Sequence, residues 1–154
     1  MVQQMIDIRR LDYSDIVTSE KELIELLEIC LANNIPNSSY ELACEYFIRL
    51  KEYIQDGSAV VVGAYDSGAL IGFQWVYEIG YNGEIRFHST FDSIYPHYQG
   101  IGIGSRLMNA IVEIAKERNI SAIEAMCTVS NEAAVKYHQH NGFVIERYKM
   151  VKHF

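Results

Sequence analysis

The sequence predicts a mixed α/β (α+β) fold in one domain that spans residues 1–154. A run rich in aromatic and β-branched residues, Ile85–Ile94, predicts a strand that leads into three glycines at every second position. Apolar residues at spacings of three and four follow at once and predict a helix. The same strand is the third of three strand-like runs joined by short turns, which predicts an antiparallel meander. We therefore expect a central mixed, mostly antiparallel sheet flanked by about four helices.

The first part of the chain predicts one strand and two helices. Residues 5–10 alternate apolar and polar side chains, which is typical of a strand. Apolar positions then recur at helical spacing from about Ser19 to Ala32, with Ser19 as the candidate N-cap. Asn33–Asn37 contains Pro36 and predicts a break. A second helix is predicted from about Ser39 to Gln55.

The remainder of the chain alternates between strands and helices, so the whole order is β-α-α-β-β-β-α-β-α-β. Ala59–Tyr65 is almost continuously apolar, which predicts a strand buried on both faces. The other predicted elements are strands at Ala69–Ile79, Glu84–Ile94 and Ser121–Thr128, helices from the glycine loop to about Arg118 and over Asn131–Asn141, and one or two closing strands within Phe143–Phe154.

Composition and charge exclude several classes of function. The formal net charge is −7 and the sequence contains no basic stripe, so we expect no nucleic-acid partner. No apolar run reaches the roughly 18 residues of a membrane helix, and residues 1–4 lack the basic start of a signal peptide. The three cysteines show no metal-ligand spacing, which is typical of reduced thiols. We therefore expect a cytoplasmic protein without a bound metal.

The glycine loop points to an anionic ligand. Unpaired N–H groups at the start of a helix attract anions, and glycines let a ligand approach the backbone closely. A pyrophosphate group is therefore the expected ligand. A Rossmann site is one alternative, because Glu124 follows Gly104 by 20 residues, as a ribose-binding acid would. However, Ser105 occupies the place of the third glycine of that fingerprint. A Walker phosphate loop is excluded because no Gly-Lys-Ser/Thr follows.

Two motifs resemble those of the GNAT acyltransferase family. Gln99-Gly100-Ile101-Gly102-Ile103-Gly104 matches the family's Gln/Arg-x-x-Gly-x-Gly/Ala loop, and Tyr95-Pro96 precedes it as is usual there. About 27 residues later, Asn131–Phe143 resembles the second motif, with Asn, then Ala three residues on, and Gly-Phe closing a helix. The resemblance extends over essentially the whole chain and is most specific within residues 84–143.

The resemblance implies that the chain binds acetyl-CoA and transfers its acetyl group to an amine. Main-chain N–H groups of the glycine loop would hold the CoA pyrophosphate, and an N–H near the end of the preceding strand would polarise the thioester carbonyl. Asn131 would cap the last helix and contact the CoA arm. The implied cofactor-binding residues are Ser93, Ile94, Tyr95, Gln99, Gly100, Ile101, Gly102, Ile103, Gly104, Ser105, Asn131, Ala134 and His138.

The residue that serves the departing thiolate is open between two neighbours. Family members often carry a tyrosine four residues before the motif's glycine, but here that place is His138 and the tyrosine is Tyr137. Asn131, Ala134 and His138 follow helical spacing and share a face. If Asn131 meets CoA, His138 therefore faces the cofactor and Tyr137 packs elsewhere. Imidazole could protonate the thiolate or hydrogen-bond to it.

The general base is also open. Glu84, His88 and Asp92 alternate at even spacing along one predicted strand, so we expect them to share a face of the sheet. His88 and Asp92 lie nearest the expected thioester, and Glu124 lies on the strand across from them. The catalytic candidates are therefore His138, Asp92, His88 and Tyr137.

These observations predict an N-acetyltransferase in which an amine attacks acetyl-CoA directly, without a cysteine relay. A small-molecule amine is the expected acceptor. The alternatives are a non-catalytic CoA-binding sensor and a Rossmann-type nucleotide module. A homodimer is an expectation from the family alone.

Overall fold

The computed structural model describes residues 5–154; residues 1–4, where the sequence predicts no signal peptide, lie outside the described part. Apart from one additional short helix after the first strand, the predicted order of elements is confirmed up to the last helix. The strands are β1 (Ile6–Arg10), β2 (Ala59–Asp66), β3 (Ala69–Tyr81), β4 (Glu84–Ile94) and β5 (Ile123–Ala125). The helices are α1 (Tyr13–Thr18), α2 (Glu20–Asn34), α3 (Tyr40–Gln55), α4 (Ile103–Glu117) and α5 (Glu132–His140), with a 3₁₀ turn at Pro96–Tyr98.

One five-stranded sheet organises these elements in the spatial order β1-β2-β3-β4-β5. The first four strands pair antiparallel and β5 joins β4 in parallel, so the predicted mixed, mostly antiparallel sheet is confirmed. Helices α1, α2 and α3 cover one face and α4 covers the other, with an apolar core on each side. As predicted, β2 is buried on both faces, and it lies between β1 and β3.

The N-terminal helices depart from the prediction in one place. The sequence did not predict α1, which begins with a capping box: Asp15 N donates to Asp12 Oδ1 over 2.8 Å, and Asp12 N donates to Asp15 Oδ2 over 3.0 Å. Ser19 ends α1 and occupies the N-cap position of α2, as predicted, but its side chain makes no capping hydrogen bond. Ser39 does cap α3, because its Oγ accepts from Leu42 N.

A β-bulge in β4 reverses which side chains face which helices. The register of the β3–β4 ladder shifts at Trp75 and Val76, leaving Thr90 without a partner. His88 lies opposite Tyr77, on the face covered by α2 and α3, whereas Asp92 lies opposite Gln74, on the α4 face. The prediction that His88 and Asp92 share a face was therefore wrong, because even spacing holds only in a strand without an inserted residue.

The C-terminal part also departs from the prediction. Only Ile123–Ala125 pair as a strand, rather than the whole of 121–128, and the ladder with β4 stops at Ser89, beside the bulge. Residues 143–154 form no regular structure, so the predicted closing strands are absent. A strand needs a neighbouring strand, and none of the described residues pairs with this segment.

Candidate active site

The glycine loop leaves a helix start open to a ligand. Gly100 and Gly102 have φ angles of 79° and 89°, a left-handed conformation that side chains rarely adopt. Gly102 occupies the N-cap position of α4 and offers no capping side chain, so the first N–H groups of α4 have no intrahelical acceptor. A Cβ built at either glycine would meet nothing within 4 Å. An anion thus has both unpaired donors and free space.

Gly104 is required for a different reason, which is packing against Tyr137. A Cβ at Gly104 would lie only 2.8 Å from Cε2 of the tyrosine ring. The Tyr137 hydroxyl donates to the Gly104 carbonyl oxygen over 2.8 Å, and burial together with the Asp92 carboxylate raises the pKa of that hydroxyl. Tyr137 therefore joins α5 to the first turn of α4.

Replacing Gly104 with alanine is expected to lower the free energy of unfolding by about 1–3 kcal/mol, the usual range for overpacking. An exposed helical glycine would instead gain about 1 kcal/mol from the same change. Chemical denaturation of the single and double variants with Tyr137→Ala measures the coupling. If Gly104→Ala no longer lowers the free energy of unfolding when Tyr137 is already alanine, the contact between the two residues is supported. Stabilisation by Gly104→Ala alone would contradict it.

Side-chain hydrogen bonds fix the segment that leads from β4 into the glycine loop. Gln99 Nε2 donates to the Ile94 carbonyl oxygen over 2.9 Å, which closes the turn that includes Pro96–Tyr98. The Tyr98 hydroxyl donates to Asp66 Oδ2 and the Tyr95 hydroxyl donates to Glu25 Oε2, each over 2.5 Å. The Gln99 side chain thus supports the loop, leaving anion contact to the backbone.

Ser93, Ile94 and Tyr95 are the residues expected to supply a main-chain N–H to the thioester. The strand register at the end of β4 shows which way each of these N–H groups points. Tyr95 N donates to Ile71 O over 3.0 Å, so this N–H points toward β3. Alternate residues of a strand point their N–H groups the same way, so the Ser93 N–H also faces β3. The Ile94 N–H faces the opposite side, where β5 has already ended at Ala125. Of the three, only Ile94 offers a donor to the gap that opens beside β4 beyond Ser89.

His138 lies over this gap. Its Nδ1 is 3.3 Å from the sulfur of Cys127, which follows the end of β5, and the imidazole interacts electrostatically with Asp92 at the end of β4. Nδ1 also lies 2.8 Å from the Ala134 carbonyl oxygen. A carbonyl oxygen only accepts, so Nδ1 carries a proton and Nε2 is the free nitrogen. His138 is 7% exposed, and Nε2 is buried without a partner among the described residues.

Burial governs the charges of the groups around His138. It raises the pKa of the Asp92 carboxyl above its ordinary range, and the His138 imidazole opposes this shift only in part. Burial and the Asp92 charge raise the pKa of the Cys30 thiol to about 12 and also raise the pKa of Cys127. Both thiols are therefore held protonated, which disfavours them as nucleophiles. Sequence spacing did not indicate that these two cysteines meet Asp92, because they lie on different elements.

Asn131 has a structural role at the start of α5. Its Oδ1 accepts from Ala134 N over 3.3 Å, which confirms the predicted cap, and its Nδ2 donates to Asn34 Oδ1 on α2 over 3.1 Å. Ala134 lies one helical turn before His138 and supplies the carbonyl that orients the imidazole. Contact of Asn131 with CoA stays a prediction.

A second polar pair lies on the opposite face of the sheet from Asp92, at the middle of the three residue pairs that join β4 to β5. His88 Nδ1 is 2.8 Å from Glu124 Oε2, and the Tyr77 ring lies 5.1 Å from the imidazole ring, centroid to centroid. The pair is mostly buried, with His88 14% and Glu124 27% exposed. Glu124 thus orients a histidine. Among residues 5–154, no group of three or more His, Cys, Asp or Glu is arranged to hold a metal ion.

Residues 21–143 match the model of the acetyltransferase (GNAT) family, well over half of the chain. The chain belongs to the GNAT family. Members of this family use acetyl-CoA as acyl donor. The chain is 26% identical over 90 residues to a mycothiol acetyltransferase from Propionibacterium freudenreichii subsp. shermanii, covering 58% of this chain and 29% of that protein. It is 30% identical over 82 residues to an uncharacterized N-acetyltransferase from Methanocaldococcus jannaschii, covering 50% and 35%. The alignments thus span about a third of these curated relatives.

Solved GNAT structures share the fold at low identity. A predicted acetyltransferase with acetyl-CoA from Clostridium acetobutylicum superposes with a TM-score of 0.75 at 18% identity, covering 97% of this chain and 96% of that one. A ribosomal-protein-alanine N-acetyltransferase from Brucella melitensis biovar Abortus has a TM-score of 0.72 at 19% identity, with coverage of 97% and 99%. An aminoglycoside acetyltransferase from an uncultured soil metagenomic sample has a TM-score of 0.70 at 17% identity, with coverage of 96% and 97%.

The helices of this GNAT chain can be compared with the length and apolar character that a membrane span requires. None of its described helices is long and apolar enough to cross a bilayer.

Proposed function

We propose that this GNAT chain transfers the acetyl group of acetyl-CoA directly to a primary amine of a small molecule. The observation that carries the proposal is the gap beside β4, bordered by the Ile94 N–H and covered by the free Nε2 of His138. The open glycine loop follows the end of β4 and leads into α4. A phosphate-binding loop and a polar cleft of this kind suit a ligand with an anionic end and a thioester end.

The residues of the chain fit acetyl-CoA as the substrate. The unpaired N–H groups of Ile103, Gly104 and Ser105 at the start of α4 would bind the pyrophosphate. The Ile94 N–H would donate to the thioester carbonyl oxygen, where negative charge develops during attack. With Nδ1–H donating to Ala134 O, the imidazolium form of His138 would give its Nε2 proton to the departing sulfur and be left as neutral imidazole.

His88 is the proposed general base. An arriving ammonium must lose a proton before its nitrogen can attack, and a histidine oriented by a carboxylate can accept it through bridging water, because His88 lies six strand residues before Ile94. The Nδ1 of His88 is engaged by Glu124, which leaves Nε2 as the acceptor. Asp92 lies on the other face of the sheet, next to His138, so we assign it to positioning that imidazole instead.

Direct attack is favoured over an acetyl-cysteine intermediate. Cys127 is the thiol nearest to a histidine, but the His138 nitrogen that faces it already carries a proton donated to Ala134 O. That nitrogen cannot take the proton of the thiol. Burial also raises the pKa of Cys127, so little thiolate forms.

The acceptor class is proposed from the solved neighbours. One of them is named for aminoglycosides, which carry amino groups on sugars, and another for the alanine of a ribosomal protein. We propose a small-molecule amine, and a screen with amino sugars, polyamines and amino acids beside an alanine-ended peptide tests it. Turnover of the peptide alone would contradict the small-molecule assignment.

A thermal-shift comparison of acetyl-CoA, CoA and NAD tests the donor. A ligand at 100 times its Kd stabilises the native state by about 2.7 kcal/mol, which raises Tm by roughly 5–11 °C in a domain of this size. We expect such a shift with acetyl-CoA and none with NAD. A shift with NAD alone would indicate a Rossmann-type module. Binding of acetyl-CoA without turnover of any amine in the screen would indicate a CoA sensor.

A further inference from the structure

Five aromatic residues line the sheet face that α2 and α3 cover. We call them the aromatic wall: Tyr46, Tyr53, Trp75, Tyr77 and Phe91. The rings of Trp75 and Phe91, which lie opposite each other on β3 and β4, are 5.7 Å apart, centroid to centroid. Tyr46 of α3 meets Phe91 edge-on at 4.8 Å, and Tyr53 of the same helix lies 6.2 Å from Trp75. These separations are those of rings in contact.

The aromatic wall lies between the thioester end of the site and the proposed base. Phe91 follows His88 by three residues of β4 and precedes the last residue of that strand by three. Tyr77 extends the wall to the base, since its ring lies 5.1 Å from the imidazole of His88. Burial, Glu124 and Tyr53 raise the pKa of the Tyr77 hydroxyl, as expected for neighbouring groups. An acceptor bound between the thioester and the base therefore lies on the aromatic wall.

Part of the aromatic wall is open to a bound molecule. Tyr53 is 40% exposed, and Tyr46 and Phe91 are half-buried. Trp75 is 2% exposed, and its indole N–H is buried without an acceptor among residues 5–154. Buried Trp N–H groups usually find a partner, so Trp75 differs from an ordinary core residue. An oxygen atom or a ring face of a bound molecule can accept from this N–H.

Charges of opposite sign lie at the two ends of the aromatic wall. Glu124 lies at one end, where its carboxylate is 2.8 Å from His88 Nδ1. The Arg49 guanidinium lies at the other end, 5.1 Å from the centre of the Tyr46 ring. A molecule with several ammonium groups would bring one of them close to Arg49, and like charges repel. The charges therefore favour an acceptor with one amine over a polyamine or an amino sugar that carries several amines.

We propose that the acceptor is a monoamine on a flat apolar body, of the aralkylamine class, and that its ring packs against the aromatic wall. The inference rests on the acetyl transfer proposed above and narrows its acceptor. A flat ring can stack on the rings of Tyr53 and Phe91 or meet them edge-on, which an aliphatic body of the same size cannot do.

The transfer to such an amine balances with the groups already assigned. The ammonium nitrogen gives one proton to His88 through water and then bonds to the thioester carbon. The carbon–sulfur bond breaks, and the sulfur takes a proton from His138. The nitrogen loses its second proton to solvent. The products are the N-acetylated amine and the free thiol of CoA.

Two matched amines test the flat body. 2-Phenylethylamine and 2-cyclohexylethylamine have the same chain length and nearly the same size, but only the first has a flat ring. We expect kcat/KM to be about 2–12-fold higher for 2-phenylethylamine, the usual gain from an aromatic pair. Equal values for the two amines would overturn the aromatic contact. A preference for spermidine or glucosamine would overturn the aralkylamine class while leaving the proposed acetyl transfer intact.

Two pairs of variants on α3 test the wall and its charge. Tyr53→Ala should raise the KM for 2-phenylethylamine by about 2–12-fold. Its control, Tyr40→Ala, removes another exposed tyrosine at the start of the same helix and should change nothing. Arg49→Glu should raise kcat/KM for spermidine by about 2–5-fold. Its control, Lys51→Glu, makes the same charge change about 200° around the helix and should not. An equal effect of variant and control in either pair would overturn the assignment.

Fluorescence measures binding to the aromatic wall without turnover. Trp75 is the only tryptophan of the chain, so the whole tryptophan signal comes from the wall. Titration with 2-phenylethylamine in the presence of CoA should change this signal to saturation, and Tyr53→Ala should weaken the binding. A saturating change without acetylation would support the wall and contradict the proposed transfer. Acetylation without any change in fluorescence would overturn the wall, and so would the absence of both.

Discussion

Replacing His88 with glutamine is expected to lower kcat by about 10²–10⁴-fold, the usual contribution of a general base. The amide of glutamine can still hydrogen-bond, but it cannot accept the proton of an ammonium substrate. The KM for acetyl-CoA should change little, because His88 lies on the α2–α3 face and the glycine loop does not contact it. Steady-state kinetics with the acceptor found by the amine screen measure both constants.

Two further variants show whether a fall in kcat comes from losing the general base or merely from losing a charged side chain. Glu124→Gln keeps a partner for the imidazole but removes the carboxylate, so a smaller loss than that of His88→Gln is expected. Glu78→Gln removes a carboxylate that pairs with Arg118 on the opposite face of β3, and it should leave kcat unchanged. A kcat within twofold of the parent for His88→Gln would exclude His88 as the base.

Replacing His138 with phenylalanine is expected to lower kcat by roughly 10²–10⁴-fold, because the departing sulfur then loses its proton donor. Phenylalanine fills the buried space without leaving a polar atom unpaired, so the fold should survive. Binding of acetyl-CoA, measured by thermal shift, should be retained because the glycine loop is intact. A low kcat together with normal acetyl-CoA binding would show that His138 acts in the chemical step and is not needed to form the binding site.

Cys127→Ala is the control for His138→Phe, because Cys127 lies beside the His138 imidazole. Direct attack requires no thiol, so this variant should retain most of the parent kcat, whereas a cysteine relay would lose nearly all of it. Trapping an acetyl group on Cys127 in the parent protein would contradict direct attack. Equal rates for the parent and His138→Phe would show that the leaving sulfur needs no donor from α5.

The local features of this protein could be predicted from its sequence. Three alternate glycines after a strand and before a helical pattern predicted the loop, because backbone conformation at glycine is a local property. The predicted start of a helix near Ser39 and the predicted N-cap Asn131 are local in the same sense, since each side chain accepts from a backbone N–H three positions on. The amphipathic pattern of α4 likewise indicated the face that packs on the sheet.

The sequence did not indicate features that depend on pairing between distant segments. The bulge at Thr90 separates His88 from Asp92, and it arises from the register between β3 and β4, which spacing within β4 cannot show. The role of Tyr137 follows from contact with Gly104, 33 positions away. The closing strands were predicted within residues 143–154 from the local sequence, whereas a strand forms only by pairing with another strand.

The sequence by itself therefore determined the order of the five strands and of the four longer helices, the glycine loop and the GNAT family, since these depend on neighbours within a few residues. Only the tertiary structure decided which nitrogen of His138 is free, that the main-chain donor toward the gap is Ile94, and that His88 is paired with Glu124. Each of these results from two or three segments meeting at one point. Such meetings depend on strand register and helix packing, which act between residues far apart in the chain.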